Sequence, residues 1–203
     1  MSLIKKLKNF GMGSAIAISS LLPMKSLGQE SADNANQMQT IPKISYYFDL
    51  AASFKTSNNS LIQEYFNGGP FGIKTGIGVY LGHSKRIELE GGWFSRKSGA
   101  LKTKFSNLEF GGYYDIILRP TENFAVYGGA GLRAESWNFD IKNESPISVS
   151  GIGFGLRIGI EEYLDETFQW YAEGNYNVVD GELDGEKCSM SGAQITAGIR
   201  IAF

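Results

Sequence analysis

From Lys43 to Phe203 the chain alternates apolar and polar residues with a period of two, in eight successive runs. Period two belongs to β-strands, whose successive side chains point to opposite faces, and two faces of unlike polarity require two unlike environments. The first run sets Ile44, Tyr46, Phe48, Leu50, Ala52 and Phe54 against Ser45, Tyr47, Asp49, Ser53 and Lys55. The last sets Ala193, Ile195, Ala197, Ile199, Ile201 and Phe203 against Gln194, Thr196, Gly198 and Arg200. Between them, runs through Ile77, Leu89, Tyr114, Ala130, Leu156 and Ala172 repeat the pattern. No apolar face carries a charge. The opposite faces carry Asp49, Lys55, Lys74, Glu88, Glu90, Glu109, Asp115, Arg133, Glu135, Arg157, Glu161, Glu173 and Arg200.

Eight such strands close into a barrel in one of two ways. A soluble lipocalin-like barrel turns its apolar face inward around a ligand cavity. A membrane barrel turns it outward to lipid. Three features choose the second. Most runs reach the ~9–11 residues that cross a bilayer, against ~5–6 in soluble sheets. Long polar connections near 56–70, 96–106, 137–149 and 179–191 alternate with short ones at His83–Lys85, Arg119–Asn123 and Tyr163–Thr167, as expected of surface loops and periplasmic turns. Two aromatic girdles are expected: Tyr46, Phe124, Tyr163, Phe168, Trp170 and Phe203 at the short-turn end, and Phe54, Phe71, Trp93, Trp137 and Tyr176 at the long-loop end. The predicted fold is all-β, an eight-stranded antiparallel up-and-down transmembrane β-barrel over 43–203, preceded by a cleaved signal peptide.

That signal occupies residues 1–28. Lys5, Lys6 and Lys8 precede an apolar run from Phe10 to Met24, and Ser26-Leu27-Gly28 has the small-x-small form of a cleavage site. Pro23 and the shortness of the run argue against an anchor helix. Residues 29–42 read as a flexible polar tail with too little apolar content to build a core. The single Cys188 excludes an internal disulfide framework, and 19 basic against 21 acidic residues leave no field to attract nucleic acid.

The signal peptide, the alternating strands and the terminal Gly198-Ile199-Arg200-Ile201-Ala202-Phe203 resemble the small OmpX/OmpA-type outer-membrane barrels. The resemblance implies an outer-membrane location, and partners in outer-membrane lipids, periplasmic chaperones and the barrel-insertion machinery. It also implies an insertion signal carried by Ile199, Ile201 and Phe203.

The residues offer little catalytic chemistry. His83, the lone histidine, falls in the first short turn, so no Ser-His-Asp or His-rich metal site forms around it. Glu88 and Glu90 share a face, as a glycosidase pair would, but lumenal arginines are the stronger expectation for them. The Gly151-x-Gly153-x-Gly155 run lies within a strand rather than at a strand-to-helix turn, so it is no phosphate loop. The acidic segment Asp180–Glu186 lacks full calcium-loop spacing and reads as a solvated loop. No catalytic, cofactor-binding or metal-ligating residue is assigned. The expected site is a lumenal charge network of Asp49, Lys74, Glu88, Glu90, Glu109, Asp115, Arg133, Glu135, Arg157, Glu161, Glu173 and Arg200. An eight-stranded barrel is just wide enough for such side chains to fill. The expectation is a non-enzymatic barrel for envelope integrity whose surface loops meet an extracellular partner. A narrow cation-preferring channel and a soluble binder of apolar ligand remain alternatives.

Overall fold

The computed structural model describes residues 44–56, 69–98, 103–140, 145–183 and 186–203. The expected signal peptide, residues 1–28, and polar tail, 29–42, lie outside these residues. The described chain is all β: β1 (Ile44–Lys55), β2 (Phe71–Leu81), β3 (Lys85–Ser98), β4 (Thr103–Leu118), β5 (Phe124–Asp140), β6 (Ile147–Tyr163), β7 (Phe168–Leu183), β8 (Glu186–Ser189) and β9 (Gly192–Ala202). Each strand pairs antiparallel with its neighbours, and β9 returns to β1, so the sheet closes on itself into a barrel. β8 and β9 are one barrel strand. Their partner positions on β7 run without a shift from Leu183↔Glu186 to Asn177↔Gly192, with Met190 N donating to Val179 O at 2.8 Å between them. The barrel therefore has eight staves among the described residues, as the alternation predicts.

The register fixes its shape. Stepping from Ser45 through its partners Tyr80, Arg86, Asp115, Gly129, Arg157, Asn175 and Gln194 returns to β1 at Lys55, ten residues further along. With ~3.3 Å per residue and ~4.8 Å between strands, that stagger corresponds to a strand tilt of about 40° and a backbone radius of about 8 Å.

Parity holds in every stave. Leu50, Ile77, Leu89, Phe110, Leu132, Ile158, Tyr176 and Ile199 are exposed on the outside, and the polar partners on each strand are buried inside. The lipocalin-like arrangement is thereby excluded across this band. On β4 the apolar outside runs from Leu108 to Leu118, about 25 Å along the barrel axis at the tilt above, the height of a transmembrane barrel's apolar belt. Tyr46, Phe168 and Phe203 stand exposed at its short-turn end; Phe71, Trp93 and Tyr176 stand exposed at the other.

Two girdle members are corrected. Trp137 is 1% exposed and faces the lumen, because it shares parity with Arg133 and Glu135. Tyr163, also of lumenal parity, is half-buried at the lower mouth, where its hydroxyl donates to Glu161 at 3.0 Å. The connections are corrected as well. Strand pairing continues through most of 96–106, 137–149 and 179–191: β3 and β4 pair to Ser98↔Thr103, and β7 and β8 to Leu183↔Glu186. In the acidic segment, Asp180 and Glu182 are outward strand residues, while Asp184 and Gly185 lie outside the described residues. Most of the connection at 56–70 lies outside them too.

These prolonged strands reverse the polarity. Above the belt the outward positions are Ser136, Asn138 and Asp140 on β5, Ser148 and Ser150 on β6, and Asp180 and Glu182 on β7. The inward positions at the same height are Phe105, Trp137, Phe139, Ile147, Val149, Val179, Cys188 and Met190, all buried in one cluster. Alternation is unbroken; only the solvent outside has changed, from hydrocarbon to water.

The two zones should respond oppositely to a charge on the same outer face. Ile158→Arg, within the belt, should cost about 2–4 kcal/mol, whereas Asn138→Arg, above it, should cost less than about 0.5 kcal/mol. Urea unfolding of vesicle-inserted protein measures both; equal costs would refute the belt boundary.

Candidate functional site

Lumenal positions of all eight staves converge on one buried network. Its lower half centres on Asp115 of β4, which accepts from Arg157 Nε at 2.7 Å and Nη2 at 2.6 Å, a two-pronged pair, and from Arg86 Nε at 2.7 Å. Glu161 of β6 accepts from Arg86 Nη1 and Arg200 Nη1, each at 2.7 Å. Glu88 accepts from Arg157 Nη1 at 2.8 Å and from the Tyr47 hydroxyl. The upper half centres on Arg133 of β5, which reaches Glu135 at 3.0 Å, Glu90 at 3.1 Å and also Glu109. Lys55 bridges Glu109 and Glu135, and Lys74 bridges Glu90 at 2.8 Å and Glu173 at 3.1 Å. Glu88 and Glu90 are thus held by cations rather than set apart as a catalytic pair.

Tyrosine rings separate the guanidiniums. Arg200 lies 3.8 Å from the Tyr171 ring centre, Arg86 4.2 Å from Tyr127, and Arg157 4.3 Å from Tyr113. A guanidinium over a ring face is attracted by the ring's quadrupole while its edge stays free for carboxylates. Lumenal glycine makes room for these rings: a Cβ on Gly78 would stand 2.2 Å from Tyr47, and one on Gly159 2.4 Å from Tyr127.

Each predicted network residue is inside, at 6% exposure or less. Asp49 is set apart. None of the basic side chains among the described residues lies within ion-pair distance of it, and its Oδ2 accepts no hydrogen bond from the protein. Sequence reasoning missed Arg86, fully buried at the centre of the lower half. It sits one residue before Ile87 and directly after the turn residues, so it reads as part of the turn; its parity with Glu88 and Glu90 was the available signal. With Arg86 included, eight buried acids face six bases rather than five.

The network is flanked by a cluster of buried residues at each end. Above it lies the Phe105–Trp137–Met190 cluster, with Trp137 Nε1 donating to Glu135 at 2.8 Å at the junction. Below it Tyr47, Tyr80, Ile117, Ala125 and Tyr127 pack together. Beneath that floor a cavity of about 730 Å³ opens at the short-turn end, lined among others by Tyr80, Arg119, Tyr163, Gln169 and Phe203. At its roof lies Tyr80, whose hydroxyl donates to Gln169 Oε1 at 2.9 Å. His83 is exposed in the neighbouring turn, where its carbonyl accepts from Arg119 Nε at 3.2 Å. Cys188 is buried in the upper cluster, and burial pushes its thiol above the usual range.

No protein-family profile matches this chain, and no curated protein matches it in sequence. Solved structures do match the fold. It is similar to Neisserial surface protein A, at 16% identity and a TM-score of 0.60 over 80% of this chain and 98% of that one. It is similar to Ail, the attachment invasion locus protein of Yersinia pestis, at 15% identity and 0.53 over 79% and 97%. The N-terminal β-barrel domain of Pseudomonas aeruginosa OprF follows at 14% identity and 0.50 over 77% and 97%. At these identities the likeness is one of fold: a small outer-membrane-type barrel.

Breaking one ion pair leaves a buried charge without its partner, which is costlier than never having built the pair. Arg157→Met should therefore destabilise the barrel by about 3–5 kcal/mol. Arg157→Met combined with Asp115→Asn should cost less than the sum of the two single changes, a coupling that a double-mutant cycle in vesicles measures. The buried thiol gives a second readout: Cys188 should react with a maleimide at least about tenfold more slowly in folded than in unfolded protein.

Proposed function

We propose that this protein is a non-enzymatic barrel of the bacterial outer membrane that reinforces the envelope and offers its long-loop end for contacts at the cell surface. The observation that carries this reading is the filled lumen. Ion pairs, tyrosine rings and an apolar cluster occupy the space through which a solute would pass, and an eight-stranded barrel has no width to spare. Among the described residues, Glu88, Glu90 and Asp115 are held by arginines, and His83 stands in an exposed turn. A tightly bonded interior with connections carried at one end divides labour as binding proteins do, with framework and contact surface separate.

The location and biogenesis belong to the same reading. The export signal over residues 1–28, the apolar belt and the aromatic rims suit an outer membrane, with outer-membrane lipids as permanent partners. Periplasmic chaperones and the insertion machinery would act in transit. Ile199 and Ile201 have the lipid-facing parity of β9 and Phe203 follows directly after it, where an insertion signal would be read.

Conductance of the protein in a planar bilayer tests the reading. Insertion without steady current is expected, and a Phe105→Ala/Trp137→Ala double variant should raise leak without converting it into regular steps. Stable cation-selective steps from the unmodified protein would overturn the proposal in favour of the narrow channel, consistent with two more acids than bases inside.

A further inference from the structure

Outside the barrel, β3 and β4 carry a graded ladder of cross-strand pairs that the lumen does not explain. Trp93 faces Leu108, Ser95 faces Ser106, and Lys97 faces Lys104, all on the outward side and in ascending order towards the long-loop end. The lowest rung is bare apolar surface: Trp93 is 53% and Leu108 45% exposed. The middle rung offers two hydroxyls, and the top rung two ammonium groups, both exposed. Two like charges directly opposite across antiparallel strands repel and destabilise the pair. Lys104 has Asp140 on its other side, yet neither lysine lies within ion-pair distance of a carboxylate among the described residues. Two ammonium groups on neighbouring strands, neither of them ion-paired even with Asp140 across from Lys104, are a site for an external anion.

The order of the rungs identifies that anion. Successive outward rungs are two residues apart, so each stands about 5 Å higher along the axis at a tilt near 40°. Trp93 marks the edge of the hydrocarbon, where indole rings settle. The hydroxyl rung is then at the depth of ester or sugar oxygens, and the lysine rung at the depth of headgroup phosphates. Among the described residues, the outward positions of β5 and β6 at this rim include Asn138, Asp140, Ser148 and Ser150, and on β7 and β8 Glu182 faces Lys187, so a rung of two facing lysines occurs there on β3–β4 alone.

We propose that the outer face of β3–β4 is a docking surface for an anionic lipid of the leaflet at the long-loop end. Lys97 and Lys104 hold its phosphate, Ser95 and Ser106 meet the ester or sugar oxygens, and Trp93 and Leu108 lie against the acyl chain. The phosphate relieves the repulsion between the two lysines, so lipid and rim stabilise one another.

Spin-labelled phosphatidylglycerol and phosphatidylcholine, competed for the protein in mixed vesicles, give the relative affinity directly. The unmodified protein should prefer the anionic lipid, and Lys97→Gln/Lys104→Gln should lower that preference about 25-fold, since a basic residue near an anionic surface contributes on the order of fivefold. Lys85→Gln, an exposed outward lysine at the short-turn end, should leave it unchanged. If the double variant keeps the full preference, or if Lys85→Gln removes it equally, the proposed site is wrong. Displacement of the anionic lipid by millimolar inorganic phosphate would equally overturn a lipid site in favour of a soluble anion.

Discussion

A backbone amide in hydrocarbon has no water to turn to. Every N–H and C=O across the apolar band must find its partner within the chain, and a sheet does so completely only by closing on itself. The return of β9 to β1 meets that demand, and the rest follows from how it is met. Eight staves with a ten-residue stagger leave an interior about 8 Å in backbone radius. The inward half of each strand must fill it, and these strands use charge to do so. Arginine suits the confinement because a flat guanidinium can be stacked on its faces and bonded along its edge at once. Arg86, Arg157 and Arg200 occupy tyrosine faces while Asp115, Glu88 and Glu161 take their edges.

The same alternation serves two opposite solvents. Through the belt a β5 stave puts Leu132 outward and Arg133 inward; a few residues on it puts Asn138 outward and Phe139 inward. No change of register accompanies the switch. The barrel is inverted where it crosses lipid and conventional where it stands in water, and the Trp137–Glu135 hydrogen bond joins the two regimes.

This explains which features could be read in advance. Strand parity, closure and the buried charges were legible because period two is a local property: Ile199 and Arg200 differ by one residue and must therefore face different media. Height is not local. Trp137 resembles a girdle residue by type and by nearness to a loop, and only its parity with Arg133 and Glu135 sends it inward. Asp180 and Glu182 resemble loop residues by composition, yet they are the polar side of a strand that has risen out of the bilayer. Short stretches flanking turns were the hardest to assign. Arg86 follows a turn, and Cys188 and Met190 stand among Glu, Lys and Ser, so too few neighbours repeat the period to reveal it. Which carboxylate pairs with which guanidinium depends on the ten-residue stagger, a property of the closed barrel that no single strand encodes.

The upper cluster gives the barrel a direction. A belt of uniform apolar width would let a cylinder slide a little along the membrane normal at small cost. Here, sliding towards the short-turn end would draw Asp140, Asp180 and Glu182 into hydrocarbon, while the apolar cluster behind them holds those strands together as one piece. The part of the barrel that stands above the hydrocarbon thus acts as a stop, setting the depth at which the rest of the molecule sits.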